Sequence, residues 1–276
     1  MSALLPFAQI DLPGKLPVAD ARYLVRPEGD PEAEPDVLAI RVLGAPRARG
    51  RLRRGRPVPV EPGDEALPLP LSRVTLIKAR PFAGNQEAER WLAEVAGDRE
   101  LWAGLAREAV ATLNRGLHAH RTSTLDPYVF DVHPDMAVAI RFGYGSGEEV
   151  AEGRWTAASQ LSERDRVGLR REIDAVAAQE RIAAALGGRE PVATAAGLLA
   201  EARRELDAGR LAGAALRLRA ALSALPGGTD GEQRAEAEQA LGEAEIALRA
   251  GRDPDQEQLR TAVRALARVV RRAAPR

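Results

Sequence analysis

The chain has 276 residues, with 40 Lys and Arg against 40 Asp and Glu, three His and no Cys. Zero net charge removes a global electrostatic pull toward nucleic acid or a membrane surface. Zero Cys excludes disulfides, thiolate nucleophiles and Cys-bound zinc or iron–sulfur clusters.

A hydrophobic content of 45% with 29% charged residues is that of a folded protein with a real core. No apolar run approaches the roughly 20 residues that span a bilayer, so no membrane partner is expected. The opening MSALLPFAQIDLPGK has no basic stretch ahead of its apolar residues, and no signal peptide is expected. The default compartment is the cytoplasm. Of the 40 basic residues only Lys15 and Lys78 are lysine. With abundant Ala, Gly and Pro, this matches the coding bias of a GC-rich bacterial genome. Arginine clusters therefore arise without selection for phosphate binding.

Thirteen of the 19 prolines lie in residues 1–85, which rules out long helices there. Residues 21–26, 37–43 and 73–80 read as strands, the last carrying the β-branched Val74, Thr75 and Ile77. The Pro- and Arg-rich stretch 46–70 is long for a loop in a compact domain and is expected to be mobile. Helices dominate after residue 85. One is expected over 86–96 behind Asn85 as N-cap. A second, over 99–117, sets Leu101, Leu105, Ala109, Leu113 and Leu117 on one stripe. A strand over 137–142 precedes the turn glycines Gly143, Gly145 and Gly147, and a helix over 163–186 ends at Gly187–Gly188. Four helices follow, over 191–208, 211–225, 231–250 and 254–273. Asp230 with Gln233 reads as a capping box for the third, and Asp253 with Pro254 as the start of the fourth.

The sum is an α+β protein. A small N-terminal antiparallel sheet with central helices occupies 1–188, and an all-α helical bundle occupies 191–276. Within the second part, Gly209, Leu211, Ala214, Leu218, Ala221, Leu222 and Pro226 resemble the second half of a tetratricopeptide repeat. Those positions hold the turn glycine, the small and large residues of the second helix and the closing proline. Leu198 and Ala202 fit the first helix, while Glu205 stands where an aromatic is usual. The resemblance covers about 30 residues, does not recur in the next hairpin, and implies at most a protein-binding role. A plain four-helix bundle uses the same packing chemistry.

Candidate chemistry is sparse. His118, His120 and His133 share one window with Asp126, Asp131 and Asp135. Imidazoles with carboxylates can act as an acid–base pair or bind zinc, but an i, i+2 pair on a helix points to different faces. The simpler reading is a helix C-terminus followed by a polar loop. The glycine run lacks the spacing of a dinucleotide fold, the Lys of a P-loop and the central Ser of a hydrolase elbow. Arg47, Arg49, Arg51, Arg53, Arg54 and Arg56 form a basic segment without aromatic residues for base stacking. Arg260, Arg264 and Arg268 make an i, i+4 stripe on the last helix, which also suits the negative end of its dipole. Trp91, Trp102 and Trp155 read as core anchors, the first two close enough in sequence to meet across a helical hairpin.

No cofactor or metal site is expected. The leading expectation is a non-catalytic interaction or scaffold protein that binds another protein or itself. An enzyme built on the histidine window is the first alternative. A nucleic-acid-associated protein working through residues 47–56 is the second.

Overall fold

The computed structural model of the chain describes residues 3–27, 30–44, 69–160, 182, 186–187, 194–225 and 231–273. The chain divides into two units, Met1–Val167 and Gly168–Arg276, and the architecture is α+β. The stretches 46–68 and 163–181 and the expected boundary at 188–191 lie outside the described residues.

The first unit is built on a six-stranded sheet, every pair antiparallel. Its strands are β1 (Leu4–Pro13), β2 (Ala21–Val25), β3 (Asp36–Leu43), β4 (Leu71–Ile77), β5 (Ala139–Ser146) and β6 (Ala157–Gln160). They lie in the order β2-β3-β4-β1-β5-β6. The middle strand, β1, is one that sequence patterning passed over, because Pro6 and Pro13 argue against an interior strand. Pro6 is tolerated for a geometric reason. Its carbonyl accepts from the Lys78 amide, so its missing N–H faces the same side, where the β4 ladder has already ended at the Phe7–Ile77 pair.

Period-two alternation gives the sheet two different faces. One carries Ile10, Leu12, Leu38, Ile40, Val74, Leu76, Ile140 and Phe142, packed against two helices, α1 (Asn85–Gly97) and α2 (Arg99–Thr124). Val95, Trp102, Ala106, Val110, Leu113 and Leu117 supply the helical side of that core. The opposite face carries Phe7, Ala39 and Ile77 under a short helix, α3 (Gly147–Ala151), whose Val150 and Ala151 are buried. Beside them lies a polar patch of Gln9, Asp11, Thr75, Arg73 and Arg141.

Helix boundaries follow local capping chemistry. Asn85 is the first residue of α1, not its cap; the Ala83 amide instead donates to Glu87 Oε2 at 2.6 Å. Asp98 caps α2, its Oδ1 accepting from the Glu100 and Leu101 amides at 2.8 and 3.0 Å. That helix runs two turns past the expected end at 117. The hydroxyls of Thr122, Ser123 and Thr124 fold back onto the carbonyls of His118, Ala119 and His120, so three poor helix formers are satisfied within the last turn. Leu125, at φ 55°, ends it.

In the second unit four helices are described over their length, α4 (Thr194–Asp207), α5 (Leu211–Ser223), α6 (Gly231–Arg249) and α7 (Gln256–Ala273). Sequence neighbours pack on one another, and α7 also packs on α4 and α5. Alanines at the contacts (Ala202, Ala214, Ala237, Ala244, Ala262) let the axes approach around Leu218, Leu241, Leu259 and Leu266. The α4–α5 turn is a Schellman motif. Gly209 sits at φ 73°, its amide donating to Leu206 O and the Arg210 amide to Glu205 O. Glu205, where an aromatic was looked for, is buried and grips Arg210 with both oxygens, at 2.7 and 3.2 Å. The fourth helix starts two residues later than expected. Asp255, not Asp253, caps it through the Glu257 amide at 2.6 Å. Asp230, half of the expected capping box, lies outside the described residues. Among the described residues no helix is long and apolar enough to cross a membrane.

Candidate functional site

Two helices cannot cover six strands. α1 lies by β5, β6 and β1, and α2 by β1. Among the described residues, the β2–β3 end of the same face borders a groove along the flank of α2, with Leu38 and Ile40 buried at its base. The groove has a volume of about 1260 Å³. Its floor is Tyr23, Val25, Leu38, Ile40 and Val42 from the sheet. Its wall is Thr112, Leu113, Gly116, Leu117, Ala119 and His120 from α2. Its near end is the 15–20 segment.

Small residues keep the wall back. A Cβ added at Gly116 would meet nothing within 4 Å. Tyr23 is held over the floor by its hydroxyl, which donates to Ala19 O at 3.2 Å. The rim is basic. Lys15, Arg26 and Arg115 line it, and none of them forms an ion pair among the described residues. Arg26 spends its Nε on the Ala33 carbonyl. The one carboxylate at the rim, Asp20, accepts from the Val42 amide at 3.1 Å. The outer edge of the sheet runs alongside, because β2 is the end strand.

The histidine window is divided among three settings. His118 Nδ1 lies 2.8 Å from Arg121 Nη2, and Asp131 lies 3.9 Å from Nη1 of the same arginine. His120 lines the groove. His133 caps a short 3-10 turn, Pro134–Met136, and lies 3.2 Å from Asp135. Asp126 closes a turn by accepting from the Tyr128 amide. Among the described residues, no three His, Asp or Glu side chains are grouped so as to hold a metal ion. Asn114 ties the following loop to α2 through a double hydrogen bond with Val132, at 2.9 and 2.8 Å.

The glycine run corrects the expected turn. β5 continues through Gly143 and Gly145, and Gly147 opens α3. These glycines are needed for close packing: a Cβ at Gly143 would fall 2.3 Å from the Ala157 carbonyl oxygen, and one at Gly145 would fall 2.9 Å from Val150. The tryptophans do not pair with one another. Trp91 packs on Phe82, Trp102 meets Phe142 edge-on, and Trp155 covers Phe7 and the Arg141 guanidinium.

The C-terminal arginine stripe is matched by carboxylates. Arg260 and Arg264 both reach Glu257, at 3.4 and 2.7 Å, and Arg268 reaches Glu236 at 3.6 Å. Hydrogen bonds from Arg264 and then Arg260 hold the Glu257 carboxyl below the ordinary range. The basic segment Arg47, Arg49, Arg51, Arg53, Arg54 and Arg56 lies outside the described residues.

Of the groove residues sequence reasoning singled out His120 alone as candidate chemistry, and missed the others. Their one legible trace is the α2 stripe, which continues through Leu113, Gly116, Leu117 and His120 at i, i+3, i+4, i+7. No protein family, no curated protein and no solved structure matches the chain.

Proposed function

We propose that the protein is a non-catalytic interaction protein whose first unit docks a segment of a partner protein in the groove between α2 and the β2–β3 end of the sheet. The observation that carries this reading is the groove itself, where half-buried Val25 and Val42 and exposed Tyr23 lie over the buried Leu38 and Ile40, beside a sheet edge unpaired among the described residues. Concave apolar surfaces with a few polar groups at the rim are the usual setting of recognition sites. An apolar face left open next to a free edge serves binding at a cost to solubility.

The test is site-specific photocrosslinking in the cells that make the protein. Benzoylphenylalanine at Tyr23 is expected to yield a discrete heteromeric adduct. The same probe at Glu89, on an exposed part of α1, is expected to yield none. Gly116→Trp, placed on the groove wall where an added Cβ meets no atom within 4 Å, should reduce the Tyr23 adduct about tenfold. Identical adducts from both positions, or an adduct untouched by Gly116→Trp, would refute the reading.

A further inference from the structure

We infer that the docked segment is an extended peptide of apolar and acidic residues that joins the sheet as a further strand on the outer edge of β2. The inference rests on the docking reading and adds the chemistry and geometry of what docks. Three independent observations point to it.

The first is the backbone. Among the described residues β2 ends the sheet, so every second residue turns its N–H and C=O outward. Natural edges are blunted by an internal proline, a bulge or a charged side chain. Over Ala21–Val25 there is no proline, and the register with β3 is unbroken. The strand's one charge, Arg22, is engaged by Glu148 of α3 at 3.0 Å on the face away from the groove. The side chains flanking the edge are accessible, Tyr23 at 40% and Leu24 at 66%. An edge so equipped is open to strand addition.

The second is space. A strand added to β2 presents alternate side chains on the groove face, next to Tyr23 and Val25 of β2 and toward the Gly116 and Ala119 side of the groove. Five residues, the length of β2, span about 17 Å.

The third is charge. Lys15, Arg26 and Arg115 at the rim meet a single carboxylate, Asp20, which already accepts from a backbone amide. A segment entering there is favoured if it brings Asp or Glu, and a basic one is disfavoured. A fatty acid would satisfy the floor and the rim but leave the β2 backbone unused, so the free edge decides for a peptide.

The experiment is panning of a random dodecapeptide phage library on the immobilised full-length protein. Selected peptides are then synthesised with a fluorophore and titrated by anisotropy. The expected sequences carry apolar residues at alternate positions with Asp or Glu nearby. Affinity should fall about tenfold or more in Gly116→Trp and in the triple variant Lys15→Glu, Arg26→Glu, Arg115→Glu, each checked for an unchanged circular dichroism spectrum. Single N-methylation along the peptide should weaken binding with a period of two, because only alternate amides face β2.

Groove-dependent binding that tolerates N-methylation at every position, or a basic consensus, overturns strand addition and leaves the docking reading standing. No enriched peptide, or binding indifferent to Gly116→Trp, overturns both. Oleate that binds the wild type but not Gly116→Trp, with no peptide selected, assigns the groove to a small apolar ligand and likewise overturns the inference.

Discussion

Asp11 is the most constrained charge in the first unit. It is 4% exposed, beside a wholly buried Gln9. Arg73 holds it through Nε and Nη2 at 2.8 and 3.0 Å, and Arg141 adds a third contact at 2.7 Å. Burial alone would raise its pKa, but the hydrogen bonds from the two arginines outweigh it and hold the carboxyl below its ordinary value of 3.8. The stabilisation is therefore present above the unfolded pKa and lost as pH falls through the lower folded value. Asp11→Asn should cost about 3 kcal/mol at pH 7, since it leaves two half-buried guanidiniums short of an anion. Its urea midpoint should approach that of the wild type only as pH falls through the lowered folded value, where Asp11 too becomes neutral. An undiminished difference there would refute the assignment. Gly143 gives a steric counterpart. Gly143→Ala should cost about 2–3 kcal/mol, from a Cβ pressed into the Ala157 carbonyl and Phe7. Gly242→Ala, in a helix with no atom near the new methyl, should gain about 0.5–1 kcal/mol. Equilibrium denaturation of the two variants checks both signs.

At the scale of elements, the α4–α5 hairpin is fastened twice at one corner, by the Gly209 turn and by Glu205 on Arg210. Both partners are largely buried, so Glu205→Ala should cost about 2–3 kcal/mol. A double-mutant cycle with Arg210→Ala should show a coupling of at least about 1 kcal/mol; a coupling near zero would mean that the turn alone fixes the corner. Elements with a strong local signal were legible in the sequence. The β-branched run of β4, the apolar run of β3, the leucine stripe of α2 and the glycine stops at Gly209 and Gly251 needed no tertiary information. β1 was not legible, because a proline is admissible there only given where β4 ends. β6 and α3 were hidden behind a glycine run whose purpose is packing against Trp155 and Phe7, which no local rule encodes. The groove was illegible for a related reason: its apolar residues read as ordinary core and its charged ones as ordinary surface, and only the placement of the helices on the sheet brings them to one concave site.

At the scale of the molecule, opposite charges cancel, with a sequence isoelectric point near 6.9. Solubility should therefore pass through a minimum close to pH 7 and rise at pH 5.5 and 8.5. Turbidity across that range at fixed ionic strength measures it, and a monotonic profile would contradict the argument. Lys78 sets an alkaline counterpart to Asp11. Burial lowers its pKa, but Asp36 and Glu108, at 2.6 and 3.0 Å, outweigh that and raise it above 10.5. Its contribution holds below the unfolded value and fades as pH rises through the folded one. The first unit is thus held electrostatically from both ends of a broad neutral window.

The place of β1 has a consequence for biosynthesis. The strand that ends up in the middle is the earliest one translated, and Phe7 must await both Ile77 and Gly143 before its two flanks are paired. At about 5–20 residues per second, that delay is on the order of ten seconds. Throughout it, an apolar segment stands outside the ribosome with at least one unsatisfied edge, and with two until β4 is made. A nascent chain stalled before β5 should therefore recruit chaperones that a chain released after β6 does not.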